Sequence, residues 1–352
     1  MTYTQTEWLL FFFTYCILGW IWESCYVSLK NREWVNRGFL YGPWLPIYGS
    51  GAISVLILTL PVRDSMILIF VFGMIGASLL EYCTGASMEH IFHMRYWDYS
   101  EQPCNINGHI CLLSSVLWGF FSLLLVKVIH PPLEQLVLNI KDTAADLLVQ
   151  ILTVLFAADA TKSVQTALDL KDLLIRITEN NQMLENLEAR MDSAASRIAL
   201  DSGHLKEKLQ LIENTIAERK LQLRQTRVRQ TKVYREALLE LLTEQRNRKT
   251  RILAALEEKA EILRQEMSSQ LQRELSPQER ERLLPIKNAV SEFHDLIHQI
   301  ELELASQKSK DFQKALSMLH RNPTSSSRRH EKALSELNRL KASLKNRKTT
   351  RR

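Results

Sequence analysis

Residues 144–177 read AADLLVQILTVLFAADATKSVQTALDLKDLLIRI, and along this stretch the chain changes solvent. Up to Ala158 the run is apolar, interrupted by Asp146 and Gln150 and bounded by Asp142 and Asp159. It is short against the about 20 apolar residues of a spanning helix. It reads as a fifth span, with an amphipathic helix lying in the interface as the alternative. From Lys162 onward Gly nearly vanishes and Leu, Glu, Gln, Lys and Arg dominate, which is the composition of a long, charged, soluble helix.

Composition divides at the same place. All seven Trp, all five Cys and ten of eleven Gly lie at or before Gly119. Residues 1–160 carry 7 Lys+Arg against 12 Asp+Glu, a net −5; residues 161–352 carry 38 against 27, a net +11. Such asymmetry points to a membrane or an anionic partner. The odd cysteine count, with Cys16, Cys25 and Cys83 in or beside apolar runs, argues against a secreted disulfide framework. A Cys104–Cys111 pair would need an oxidising compartment. Met1–Glu7 has no Lys or Arg, so Trp8–Ile21 reads as a retained span rather than a cleaved signal.

Working toward the N-terminus, four further segments approach spanning length: Trp8–Val27, Pro46–Leu60, Ser65–Cys83 and Ile110–Ile129. Lys30, Arg32 and Arg37 bias the first loop to the cytoplasm, which puts the N-terminus outside. Five alternating spans then bring the basic tail into the cytoplasm.

Two stretches interrupt the helical pattern. Gly38–Gly51 packs four glycines and two prolines into fourteen residues, with Gly42, Pro43, Pro46 and Gly49 at its centre. It reads either as a broken helix lining a pathway or as an interfacial turn into the second span. The second stretch runs from Glu81 through Trp97-Asp98-Tyr99-Ser100 to Cys111. Glu81 and Glu89 fall two helical turns apart on one face. With Glu23, they are the carboxylates closest to the apolar segments. Ionisable groups at membrane depth mark ion or substrate paths, and the plain alternative is an interfacial position in water. Asp98, Asn105 and Asn107 join them as candidate pathway residues. His90, His93, Cys104, His109 and Cys111 invite a metal reading, but their spacing matches no standard zinc pattern, and no metal or other cofactor is assigned.

Several motifs occur here in order: Gly38-Phe-Leu-Tyr-Gly-Pro-Trp-Leu-Pro-Ile-Tyr-Gly49, Glu81-Tyr-Cys-Thr-Gly85 with Met88-Glu89, Trp97-Asp-Tyr-Ser100, Asn105-Ile-Asn-Gly-His-Ile-Cys111 and Trp118-Gly119. Together they resemble the putative ABC-transporter type IV permease family (CmpB-like), a group of small bacterial multi-span proteins. The resemblance covers about residues 5–155 and leaves the tail aside. It implies a transport component in a bacterial cell membrane and carries no catalytic or ligand residue with it.

In the tail, Leu170, Ile177, Leu184, Met191, Ile198, Leu205 and Ile212 recur every seven residues. The companion positions are Leu173, Asn180, Leu187, Ala194, Asp201 and Lys208, apolar in three of six places. A coiled coil and a helical hairpin or bundle both fit this pattern. Ser276-Pro-Gln-Glu279 is a helix start, and Asn322–Arg329 has linker composition. Arg219–Arg235 reads as a solvated helix face rather than a nucleic-acid site; Lys345–Arg352, without an acidic residue, suits anionic lipid.

The expectation is an all-α protein: a multi-span membrane domain over 1–160, then a long helical, partly coiled-coil soluble tail. Within that tail, 161–275 is a long helix, 276–321 a second helical segment, 322–330 a linker and 331–352 a short helix with a basic terminus. The chain has no Gly-x-x-x-x-Gly-Lys phosphate loop, Gly-x-Ser-x-Gly or His-Glu-x-x-His. It is therefore expected to be a permease-type component and not an enzyme, with a separate ATPase subunit supplying any ATP hydrolysis. The alternative is a membrane-anchored coiled-coil scaffold or sensor that recruits cytoplasmic partners. The expected partners are the lipid bilayer, that ATPase, and a second tail helix or tail copy.

Overall fold

The computed structural model describes residues 3–198, 212–214, 234–272, 277–306 and 309–349. Leu205, the basic stretch 219–233, Ser276 and 350–352 lie outside the described residues. Among the described residues the fold is all-α apart from one two-stranded ribbon. Its contacts divide the chain into two units: residues 1–172 with 314–334, and residues 173–313 with 335–352.

The first unit begins with α1 (Gln5–Asn31) and α2 (Pro46–Thr59, extended by a 3₁₀ turn to Val62), followed by α3 (Met66–Phe92). Next come the ribbon β1 (Asn105–Ile106) and β2 (Ile110–Cys111), then α4 (Leu112–Leu124). Alpha-helical winding gives way to a π-helical turn at Leu125–Ile129 and resumes as α5 (His130–Leu138). Pro131 and Pro132 stand in the first turn of α5; their missing N–H groups and ring bulk disturb the regular ladder of the preceding turn. The helix α6 (Asp142–Ile198) enters both units.

Caps define the ends of these helices. The Thr4 hydroxyl accepts from Glu7 N–H, while the Glu7 carboxylate accepts from Thr4 N–H. The Ser65 hydroxyl caps α3. At α4 the Cys111 sulfur accepts from Ser114 N–H and the Ser114 hydroxyl from Cys111 N–H, so this cysteine serves as a helix cap. Arg32 and His93 close α1 and α3 in the left-handed conformation.

Among the described residues, four helical stretches are long and apolar enough to cross a membrane: Gln5–Asn31, Met66–Phe92, Leu112–Leu138 and Asp142–Ser196. Pro46–Val62 is apolar and shorter. Residues 144–158 are the first turns of the last of them. Ile67, Leu79, Leu113 and Val154 are each more than half exposed on outer faces, as lipid-facing side chains would be. Between the helices, glycines permit close approach. A Cβ added at Gly49 on α2 would lie 2.7 Å from the Phe12 carbonyl oxygen on α1.

The irregular segment between α1 and α2 is tied from two sides. Asp159 of α6 accepts from Tyr41 N–H (3.0 Å) and Gly42 N–H (2.7 Å), and the Cys16 carbonyl accepts from Leu45 N–H (3.0 Å). Pro46 stands at the first turn of α2, where its missing N–H costs nothing.

In the second unit, α6 from Leu173 onward packs with α7 (Tyr234–Leu271) and α8 (Pro277–Ser306). Leu187, Met191 and Ala194 share a core with Leu253, Leu256, Leu263 and Phe293. Leu184 and Met191 of the heptad seam thus pack against other helices of the same chain. Pro285 is accommodated inside α8. Two further helices, α9 (Ser309–Arg321) and α10 (Glu331–Thr349), run from one unit into the other.

Lys259 is 1% exposed in this core, with its ammonium on Asp192 and Glu213. Both carboxylates are about half exposed.

Two outcomes follow from this packing. Gly49→Leu should destabilise the α1–α2 contact by about 1–3 kcal/mol through overpacking, read as a lower melting temperature in detergent. Asp192→Asn with Glu213→Gln strands a buried ammonium and should cost about 3–5 kcal/mol, whereas Lys259→Met should be near neutral. Denaturant unfolding followed by helical circular dichroism checks both variants.

Candidate functional site

Glu81 sits in the middle third of α3 and is 5% exposed. Its Oε1 accepts from Tyr99 OH (3.2 Å) and its Oε2 from Trp118 Nε1 (3.0 Å). The Ser114 hydroxyl lies 3.4 Å from Oε2 and 3.0 Å from the Cys111 carbonyl, so its single proton is divided between the two. Two elements supply donors to this carboxylate: the loop after α3 through Tyr99, and α4 through Ser114 and Trp118.

Glu81 stands in the wall of two adjoining hollows. One, of about 460 Å³, is almost wholly apolar and includes Tyr15, Trp22, Tyr48, Trp118 and Phe121. The other, of about 360 Å³, includes Glu23, Arg37, Tyr96, Trp97, Tyr99 and Asn322. Both also share Tyr48, Trp118 and Phe121. Glu23 accepts from Tyr48 OH (2.8 Å) and pairs with Arg37 Nε at 3.7 Å. Burial lowers the Arg37 pKa from its ordinary value, and the Glu23 charge opposes that shift. The structure therefore gathers Glu23 and Glu81 around one cleft.

The other sequence candidates are placed differently. Glu89 holds Arg95 (2.7 Å) and His109 Nε2 (3.3 Å) beside a separate hollow of about 230 Å³ that includes His90, His93, Arg328 and Arg329. Asp98 pairs with Arg95 at 3.2 Å. Burial alone would raise the Asp98 pKa, but hydrogen bonds from Ser100 and Ser326 and the Arg95 charge hold it at about 2. Arg95 is held up in turn: burial lowers it, and Glu89 and Asp98 more than reverse that. Asn105 donates to the Ser100 and Gln102 carbonyls and accepts from Gly108 N–H, which fastens the ribbon turn. Asn107, at φ 54°, occupies a left-handed turn position beside Gly108 and reaches Tyr82 OH. Gly42 and Pro46 serve the backbone roles described above; Pro43 is exposed. Among the described residues, no three of His, Cys, Asp and Glu are grouped to hold a metal ion.

Several important residues escaped the sequence reading. Tyr99, Ser114, Trp118 and Asp159 are separated from their partners by 18 to 118 positions. The segment 321–330 is the largest addition. Arg95 and Ser326 exchange backbone hydrogen bonds (2.8 and 2.9 Å), Thr324 donates to the Tyr96 carbonyl and Ser327 to the His93 carbonyl. Arg37 donates to Asn322 Oδ1 (2.9 Å), while Arg321 donates to the Phe39 carbonyl and lies over the Tyr41 ring. Asn322 and Ser327 are buried, so much of the stretch with linker composition is docked within the first unit. His330 stacks on His93 at 5.5 Å.

The arrangement defines a helical, largely apolar domain whose helices are long and apolar enough to cross a membrane, with a cleft lined by Glu23 and Glu81. Within the chain, residues 10–164 match the family described as putative ABC-transporter type IV, the one its motifs resemble. No curated protein and no solved structure matches the chain.

The docked segment should respond to acid. Burial lowers the His93 pKa below its ordinary 6.5, as do the neighbouring cations Lys171, Arg329, His330 and His90. His109 is lowered as well, by burial and then by Arg95, with Glu89 and Asp98 opposing. Below pH 6.5 the undocked state binds more protons than the docked one, so docking weakens as pH falls. The protection factor of the Ser326 amide in hydrogen exchange should drop between pH 7.5 and 5, and His93→Gln should flatten that dependence.

Proposed function

We propose that the chain is a permease-type transport component of a bacterial cell membrane, non-enzymatic, with any ATP hydrolysis supplied by a separate subunit. The observation that carries this reading is Glu81, a carboxylate buried among crossing-length helices and lining a cleft, since ionisable groups at membrane depth accompany substrate or ion paths. The family match over residues 10–164 supports it. On this reading the N-terminus lies outside, the helices cross in alternation, and the helical tail is cytoplasmic with its basic terminus against anionic lipid. The tail also offers surface for self-association or for partner helices.

A membrane-anchored scaffold is the second reading. The observation behind it is the tail's own helical core, built from α6, α7 and α8, which is suited to holding partners at the membrane.

Affinity purification of the intact protein from a mild detergent separates the two. The transport reading expects a co-purifying chain with a phosphate-binding loop and ATPase activity. Recovery of soluble partners alone, retained through the tail, would replace it with the scaffold.

A further inference from the structure

Once ionised, Glu81 places in its cleft a charge that no neighbouring cation balances. Of the cleft's two carboxylates, Glu23 has Arg37. Glu81 has only neutral donors, Tyr99, Trp118 and Ser114, and among the described residues no Lys, Arg or His nitrogen lies within 4.0 Å of it. A buried carboxylate without a cation is costly, and its desolvation favours a ligand that brings the missing charge.

The hollow beside it sets the rest of that ligand. Its volume of about 460 Å³ is in the range of small-molecule sites. Trp22, Tyr48, Trp118 and Phe121 make it aromatic, and the Tyr48 and Trp118 rings lie 6.1 Å apart. Aromatic faces attract cations and bury apolar groups equally well. A bare metal ion would need several oxygen ligands, which an apolar hollow does not supply. An anion would meet Glu81 unpaired. A neutral acyl chain would fill the hollow and make no use of the carboxylate. Trp22 and Phe121 are 63% and 46% exposed, so the hollow is open on the face where lipid would lie.

We propose that this cleft binds a monovalent amphipathic organic cation, its charged centre against Glu81 with Tyr48 and Trp118, its apolar body in the hollow. The proposal rests on the pathway reading of the same cleft and names the class of compound that the pathway takes.

The test uses the full chain in nanodiscs of phosphatidylcholine, with empty nanodiscs as the blank. Binding of radiolabelled tetraphenylphosphonium is measured by equilibrium dialysis, alongside tetraphenylborate, an anion of nearly the same shape. The expected result is saturable phosphonium binding, no saturable borate binding, and at least about tenfold weaker phosphonium binding in Glu81→Gln. Gly51→Leu keeps the carboxylate and places a side chain at the hollow. A Cβ there meets only Leu80 Cδ2, at 3.8 Å, so the helix accepts it, and it should weaken binding by a similar factor. Should Glu81→Gln fail to fold, Gly51→Leu and the contrast between the two ions decide the matter.

Equal binding of phosphonium and borate would make the hollow an acyl-chain site and overturn the proposal. So would undiminished phosphonium binding in Glu81→Gln, or no saturable binding to the wild type. Each of these leaves the transport reading to its own test, because co-purification of an ATPase does not depend on which ion the cleft accepts.

Discussion

A polar group among apolar helices must find its partner inside the protein, and the first unit is organised by that constraint. The irregular backbone between α1 and α2 shows it most directly. Its amides at Tyr41 and Gly42 are taken up by one carboxylate, Asp159, and its Leu45 amide by the Cys16 carbonyl. Nearby, the Ser24 hydroxyl accepts from Arg37 N–H and the Ser28 hydroxyl from Val35 N–H. With those groups satisfied, the segment can depart from helix and still hold Arg37 and Tyr48 at fixed places in the cleft. The same rule governs Glu81, whose two oxygens meet donors from the loop after α3 and from α4.

Arg95 plays the matching part at the polar end of the unit. It is 3% exposed, with Glu89 and Asp98 on its guanidinium and Ser326 on its backbone. A buried guanidinium surrounded in this way is an anchor with defined geometry, because its planar fork accepts few arrangements. Asn322, on the segment it helps to hold, forms part of the cleft wall together with Glu23 and Arg37. A stretch near the C-terminus thus completes a site whose other residues lie before position 122.

Much of the helical framework was legible in the residues. Apolar runs placed α1, α3 and α4, and the Gly- and Pro-rich stretch marked the interruption before α2. The seven-residue recurrence from Leu170 identified the face of α6 that is buried, but not what buries it. Periodicity reports that a face is apolar and is silent on whether another chain or another part of the same chain covers it. Glu81 stood out because a carboxylate at the end of an apolar run is unusual. Cys111 drew attention as a candidate ligand and instead caps a helix, since a sulfur at that position accepts from a backbone amide as a hydroxyl would.

What the sequence by itself determined is local and repetitive: where apolar surface runs long enough to cross a membrane, where helices start and stop, and which half is charged. Those properties depend on residues a few positions apart, so the order of the letters contains them. Tertiary structure alone decided the meetings across long intervals. Trp118 reaches Glu81 over 37 positions, Asp159 reaches Gly42 over 117, and Thr324 reaches Tyr96 over 228. Such contacts leave no period in the chain. They arise only when packed helices bring a donor and an acceptor to the same point and exclude water from both.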